Sequence, residues 1–192
     1  MKNVIKNIII EFQRGFDIKP MKRDLDIVFE KKINKATTIY GPRRAGKTYY
    51  LFSLINQFIE KEKIKIEKIV YINFEDNRLS DLHSQELDLI TNAYLELFPE
   101  STPYYFLDEI QNIDGWSKWV RKLVDNRQKV FISGSNSKQL SKEIATELRG
   151  RTFSYLLLPF SISEYLRFNN LELKKNDLFD NKKQSSFYNL FD

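Results

Sequence analysis

Apolar residues open the chain at helical spacing. Val4, Ile5, Ile8, Ile9, Phe12 and Phe16 share one face and predict an amphipathic helix. A charged stretch, residues 17–35, follows and holds only Ile27-Val28-Phe29 as a short apolar run. Element types then alternate. Ala36–Tyr40 is β-branched and aromatic and predicts a strand, whereas Leu51, Leu54, Ile55 and Phe58 predict a helix over Thr48–Glu60. Strands are expected at Ile66–Phe74, Tyr104–Leu107, Lys129–Ser133 and Thr152–Leu158. Helices are expected at Ser84–Phe98, Gly115–Val124, Lys138–Leu148 and Ile162–Phe168. Strands separated by helices imply a parallel sheet covered on both faces, an α/β fold. The pattern divides the chain into a lead-in (1–22), a core (23–168) and a charged tail (169–192).

Composition narrows the chemistry. The 192 residues suit one compact domain, and 42% apolar content allows a substantial core. There is no cysteine, so disulfides, thiolate metal sites and thiol nucleophiles are excluded, and a reducing cytoplasm is the compatible setting. One histidine, His83, rules out a multi-histidine metal centre and is expected at the surface. The net charge of +5 permits nucleic-acid contact without requiring it. No apolar run approaches the roughly 18 residues of a membrane span, and no membrane association is expected.

With only six glycines in the chain, two of them frame one short loop. Gly41-Pro42-Arg43-Arg44-Ala45-Gly46-Lys47-Thr48 fits the phosphate-loop pattern G-x-x-x-x-G-K-[ST], between a predicted strand and a predicted helix. Glycine admits tight turns, consecutive N–H groups form an anion nest, and the helix start adds positive potential. Lys47 supplies a charge for the β- and γ-phosphates, and the Thr48 hydroxyl suits Mg²⁺. Tyr49 follows directly. ATP with Mg²⁺ is the expected ligand.

Tyr104-Tyr105-Phe106-Leu107-Asp108-Glu109 is a buried-strand pattern ending in two acids at the sheet edge where α/β folds bind ligands. Asp108 can support Mg²⁺ through water, and Glu109 can activate a water for hydrolysis. Val130–Ser133 leads into Gly134-Ser135-Asn136, where Ser135 or Asn136 can hydrogen-bond a γ-phosphate or the attacking water; an ordinary turn with a helix cap fits equally. In Leu148-Arg149-Gly150-Arg151, either arginine could reach a neighbouring subunit's γ-phosphate, and Gly150 also fits a helix C-cap. Glu75-Asp76 reads as a solvated turn, and Trp116 and Trp119 as core.

Taken together, these motifs resemble the AAA-type ATPase domain of a prokaryotic and archaeal family whose members often carry a C-terminal nuclease-like domain. The likeness rests on the phosphate loop, Tyr71–Asp76, Leu107-Asp108-Glu109-Ile110-Gln111, Ser133-Gly134-Ser135, and Leu148–Arg151 with Leu158-Pro159-Phe160-Ser161…Glu164-Tyr165. It spans about Arg23 to Arg167. The resemblance implies a phosphate-loop NTPase sandwich with five parallel strands in the order 5-1-4-3-2. It implies roles for Lys47 and Thr48 at phosphate and Mg²⁺, Asp108 in metal support and Glu109 in hydrolysis. It further implies Ser135 or Asn136 as sensor, and Arg149 or Arg151 as an arginine finger within a homo-oligomer. The resemblance implies that family members run about twice as long, with a helical lid and a winged-helix or nuclease-like part beyond the core. An ATPase driving a conformational change, acting on DNA or a protein partner, competes with a nucleotide-gated interaction module that turns over rarely.

Overall fold

The computed structural model describes residues 1–27, 34–135, 144, 146 and 148–171. The element order is α1 (Lys2–Gly15), β1 (Ala36–Gly41), α2 (Lys47–Glu60), β2 (Ile69–Asn73), α3 (Asp88–Leu97), β3 (Tyr104–Asp108), α4 (Trp116–Asp125), β4 (Lys129–Ser135), β5 (Thr152–Leu156) and α5 (Ile162–Phe168). Val28, Phe29 and nearly all of the helix expected over Lys138–Leu148 lie outside the described residues. Two compact units are present, Met1–Pro159 and Phe160–Asp192. In the second, Ser161 and Glu164 form a reciprocal capping box at the start of α5.

All pairings in the sheet are parallel, and its order is β2-β3-β4-β1-β5, the expected 5-1-4-3-2 read from the other edge. Alternate residues along each strand point to opposite faces. Ile39, Phe106, Phe131, Ile69 and Tyr71 pack with α2, whereas Tyr105, Leu107, Val130, Ile132, Val70 and Ile72 join the core of α1, α3 and α4. Strands buried on both faces are why Tyr104–Leu107 of β3 and Val130–Ile132 of β4 read as apolar runs. Phe106 and Phe131 are register partners with rings stacked at 4.6 Å. Trp116 and Trp119 are core residues, and His83 is exposed, both as expected.

The N-terminal helix closes one sheet edge. Ile5, Ile8 and Ile9 are buried in the α3/α4 core. The Gln13 amide donates to the carbonyls of Glu67 (3.1 Å) and Ile69 (2.9 Å), so part of the open edge of β2 is paired by a side chain. Several boundaries differ from expectation, and β4, for one, runs on to Ser135. Ile66–Lys68 is a 3₁₀ turn, because Lys68 N–H bonds back to the Lys65 carbonyl before β2 starts. Ser84–Glu86 is likewise a 3₁₀ turn preceding α3. β5 ends at Leu156, two residues early, although Leu157 N–H still reaches the Tyr40 carbonyl at 2.8 Å. Among the described residues, no helix is long and apolar enough to cross a membrane.

Candidate functional site

The site sits at the carboxyl ends of β1, β3 and β4. β1 and β4 are register partners as far as Gly41 and Ser135, and β3 ends beside them at Asp108. The loop after β1 turns twice into left-handed backbone, at Arg44 (φ 63°) and Gly46 (φ 86°). Successive right- and left-handed residues bend a chain so that its N–H groups converge, the geometry of an anion nest. Gly46 tolerates this conformation freely, whereas Arg44, lacking glycine's freedom, holds it under strain. Gly41 is required for another reason. A Cβ there would collide with the carbonyl oxygen of Leu157, just beyond β5.

Lys47 begins α2, and its ammonium is turned inward, only 5% exposed. It donates to the Pro42 carbonyl at 3.1 Å and lies 3.3 Å from the Glu109 carboxylate. A buried cation is costly unless paired, so Lys47 and Glu109 hold each other across the site. Thr48 is half-buried beside Lys47, and Tyr49 is 61% exposed.

Asp108 is fully buried. One of its oxygens accepts the Tyr71 hydroxyl at 2.9 Å, and the other accepts the Ser133 hydroxyl. Burial, then the charge and hydrogen bond of Asp108, push the Tyr71 phenol well above the usual tyrosine range, so it stays a donor. The Ser133 oxygen in turn accepts the Glu109 N–H at 3.2 Å. That bond accompanies a left-handed backbone at Glu109 (φ 50°), which turns the chain away from the strand direction directly after Asp108. The Glu109 carboxylate is then gripped by the Gln111 amide at 2.6 Å and the Ser135 N–H at 3.1 Å. The Gln111 amide oxygen is buried and has no hydrogen-bond partner.

The structure thus brings together Gly41–Thr48, Asp108, Glu109 and Ser135. Asn136 lies outside the described residues. Arg149 and Arg151 are elsewhere. Arg151 accepts the Ala36 N–H through its carbonyl, at the start of β1, and its guanidinium pairs with Asp125 at 2.9 Å. β1 runs six residues from there to Gly41, so the backbone of Arg151 stands roughly 17 Å along the strand from the end of β1 at the phosphate loop. Arg149 is exposed, with no hydrogen-bond or ion-pair partner among the described residues. Gly150 has φ 76°, a left-handed backbone that glycine adopts freely. Glu75-Asp76 forms a turn in which Asp76 binds Arg78.

Sequence reasoning assigned no role to Tyr71, Ser133, Gln111 or Arg23. A tyrosine and a serine within otherwise apolar strands carry polar tips that need buried partners, which is the signal available for the first two.

The residues fit Mg²⁺ with a nucleoside triphosphate. A left-handed turn of the loop backbone, the inward Lys47 ammonium and the Glu109 carboxylate converge, Thr48 follows Lys47 in the chain, and the orphaned Gln111 oxygen beside Glu109 leaves an acceptor for a water.

Residues 33–166 match a family model described as AAA domain. An uncharacterized protein of Methanocaldococcus jannaschii is 43% identical over 157 residues, covering 82% of this chain and 33% of the relative. An uncharacterized protein of Haemophilus influenzae is 34% identical over 143 residues, covering 70% and 34% respectively. The chain therefore spans about a third of the length of the curated relatives it matches. DnaA from Aquifex aeolicus, solved with AMPPCP bound, shares the fold with a TM-score of 0.50 at 14% identity, over 96% of this chain and 58% of that one.

Proposed function

This chain belongs to the AAA domain family, and we propose that it binds ATP with Mg²⁺ and hydrolyses it to ADP and phosphate. The observation that carries this reading is the Lys47–Glu109 pair, 3.3 Å apart, which joins the phosphate loop to the acid at the end of β3. That the fold is shared with a protein solved with AMPPCP supports adenine as the base.

In this reading the loop amides and Lys47 hold the β- and γ-phosphates, and Lys47 exchanges Glu109 for phosphate oxygens on binding. Thr48, with Asp108 acting through water, would hold Mg²⁺, which neutralises charge on the phosphates when bound. Glu109 accepts the proton of the attacking water, positioned by Gln111 and sensed by Ser135. Asp108 is locked by Tyr71 and Ser133, so it would be a fixed carboxylate behind the direct ligands of a Mg²⁺ site. An arginine finger, Arg149 or Arg151, would act on a neighbouring subunit's site.

One feature favours the alternative, a nucleotide-gated module with little turnover. Glu109 is committed to Lys47, Gln111 and Ser135 N–H at once, and must be freed before it can act. Phosphate release from ATP and GTP, with and without DNA, separates the two. Steady release from ATP, lost in Glu109→Gln while ATP affinity persists, supports the enzyme. Tight ATP binding without release in either condition supports the gate. No ATP binding, or equal binding by Lys47→Ala, overturns both.

A further inference from the structure

We infer that Arg23 is a positioning residue that holds the phosphate loop in its nucleotide-receiving shape and ties that shape to the chain leaving β5. The inference rests on the nucleotide-binding reading above and adds to it a fastening outside the phosphate-loop motif.

Arg23 lies in the charged stretch between α1 and β1, yet it is 7% exposed. Its Nη1 donates to the Ala45 carbonyl at 2.8 Å, and its Nη2 donates to the Leu158 carbonyl at 2.7 Å. These partners are 22 and 135 residues away in sequence. A guanidinium presents donors in a rigid planar fork, so two carbonyls gripped by its two terminal nitrogens are held at a fixed separation. The same Nη1 would lie 3.3 Å from a Cβ at Gly46, so the guanidinium packs directly against the left-handed turn of the nest.

The consequence for the loop is directional. A nest binds an anion only when its N–H groups face inward and its carbonyls face away. Arg23 provides the Ala45 carbonyl with a charged partner, which fixes that peptide's orientation. The loop's other end is fastened to the same segment, because Gly41 is pressed against the Leu157 carbonyl and Leu157 N–H bonds to Tyr40. Both ends of the phosphate loop are therefore anchored on consecutive residues, Leu157 directly and Leu158 through Arg23. This gives a physical role to the start of the Leu158-Pro159-Phe160-Ser161 stretch, which the catalytic constellation leaves without one.

The test uses the full chain. Affinities for ATP and ADP are measured by calorimetry for the parent, Arg23→Gln and Arg23→Lys, with chemical denaturation of each. Arg23→Gln is expected to lose on the order of tenfold affinity for both nucleotides alike, since the loop's shape rather than a γ-phosphate contact is removed. Arg23→Lys, keeping one charged donor, is expected to recover part of the loss. Hydrogen exchange on the parent protein requires no variant. Nucleotide should slow amide exchange in residues 41–48 and also in the segment around Leu157 and Leu158. Unchanged affinity in a folded Arg23→Gln, or protection confined to residues 41–48, overturns the inference. A parent chain that binds no nucleotide overturns the underlying reading instead.

Discussion

The Tyr71 hydroxyl donates to the Asp108 carboxylate at 2.9 Å inside the protein, so an acid of β3 is held from the neighbouring strand β2. The same tyrosine ring stacks on Phe12 of α1 at 4.5 Å. A carboxylate with no exposure depends on its hydrogen bonds, and a charged partner makes each one worth about 1.5–3 kcal/mol. Tyr71→Phe keeps the ring and removes only the donor. It should lower unfolding free energy by about that amount in urea titration and raise the Mg²⁺ concentration needed for nucleotide binding. Unchanged stability would mean that water replaces the phenol without penalty.

Gly41→Ala tests the close approach between the phosphate loop and the end of β5. The added methyl meets the Leu157 carbonyl, which is backbone and cannot rotate away. Overpacking of this kind costs about 1–3 kcal/mol. The expected result is a lower denaturation midpoint together with weaker ATP binding, because the loop and strand must part. A variant with parental stability and affinity would show that β5 yields freely.

Local chemistry made much of this legible. β1, its loop and α2 were readable because a β-branched run, two glycines and a helical apolar stripe are consecutive in the chain. The acids of β3 were readable because a buried strand that ends in Asp108-Glu109 leaves few places for them. The fastening of those acids was not. Tyr71, Ser133 and Arg23 act through partners 37, 25 and up to 135 residues distant, and only the sheet's order and register bring them together. The 3₁₀ turns at Ile66–Lys68 and Ser84–Glu86 escaped for the opposite reason. Their hydrogen bonds are local but leave the apolar pattern of the adjoining strand or helix unaltered.

Alkaline pH should unfold the protein earlier than its surface would suggest. Burial pushes the Tyr105 phenol up to about 12, and burial with the nearby Asp26 charge pushes Tyr50 up to about 12. Below pH 10 these phenols keep their protons in both states and contribute no pH dependence. Above it the unfolded chain loses protons that the folded chain retains, so stability falls as pH rises from 10 towards 12. One pH unit above the unfolded value the loss is about 1.4 kcal/mol per tyrosine. Urea titrations at several alkaline pH values should show this decline, and Tyr105→Phe should make it shallower. A flat profile would mean that these phenols ionise within the folded protein.

In the proposed reading, Arg149 or Arg151 would act on the phosphate of a second copy of the chain. Arg151 is already paired with Asp125, whereas Arg149 is exposed with no partner among the described residues, so Arg149 is the better placed to meet another chain's phosphate. If it acts as a finger, phosphate release per chain should rise with protein concentration and then level off. Arg149→Ala should lower the plateau by a factor on the order of a thousand, the scale of a finger's contribution. Mixing Arg149→Ala with Lys47→Ala chains sharpens the test. A chain lacking its own loop lysine can still lend Arg149 to a neighbour with an intact loop, so the mixture should recover activity that neither variant has alone. Activity independent of concentration, or no recovery on mixing, would remove the finger and leave Arg149 as a solvated side chain at a helix end.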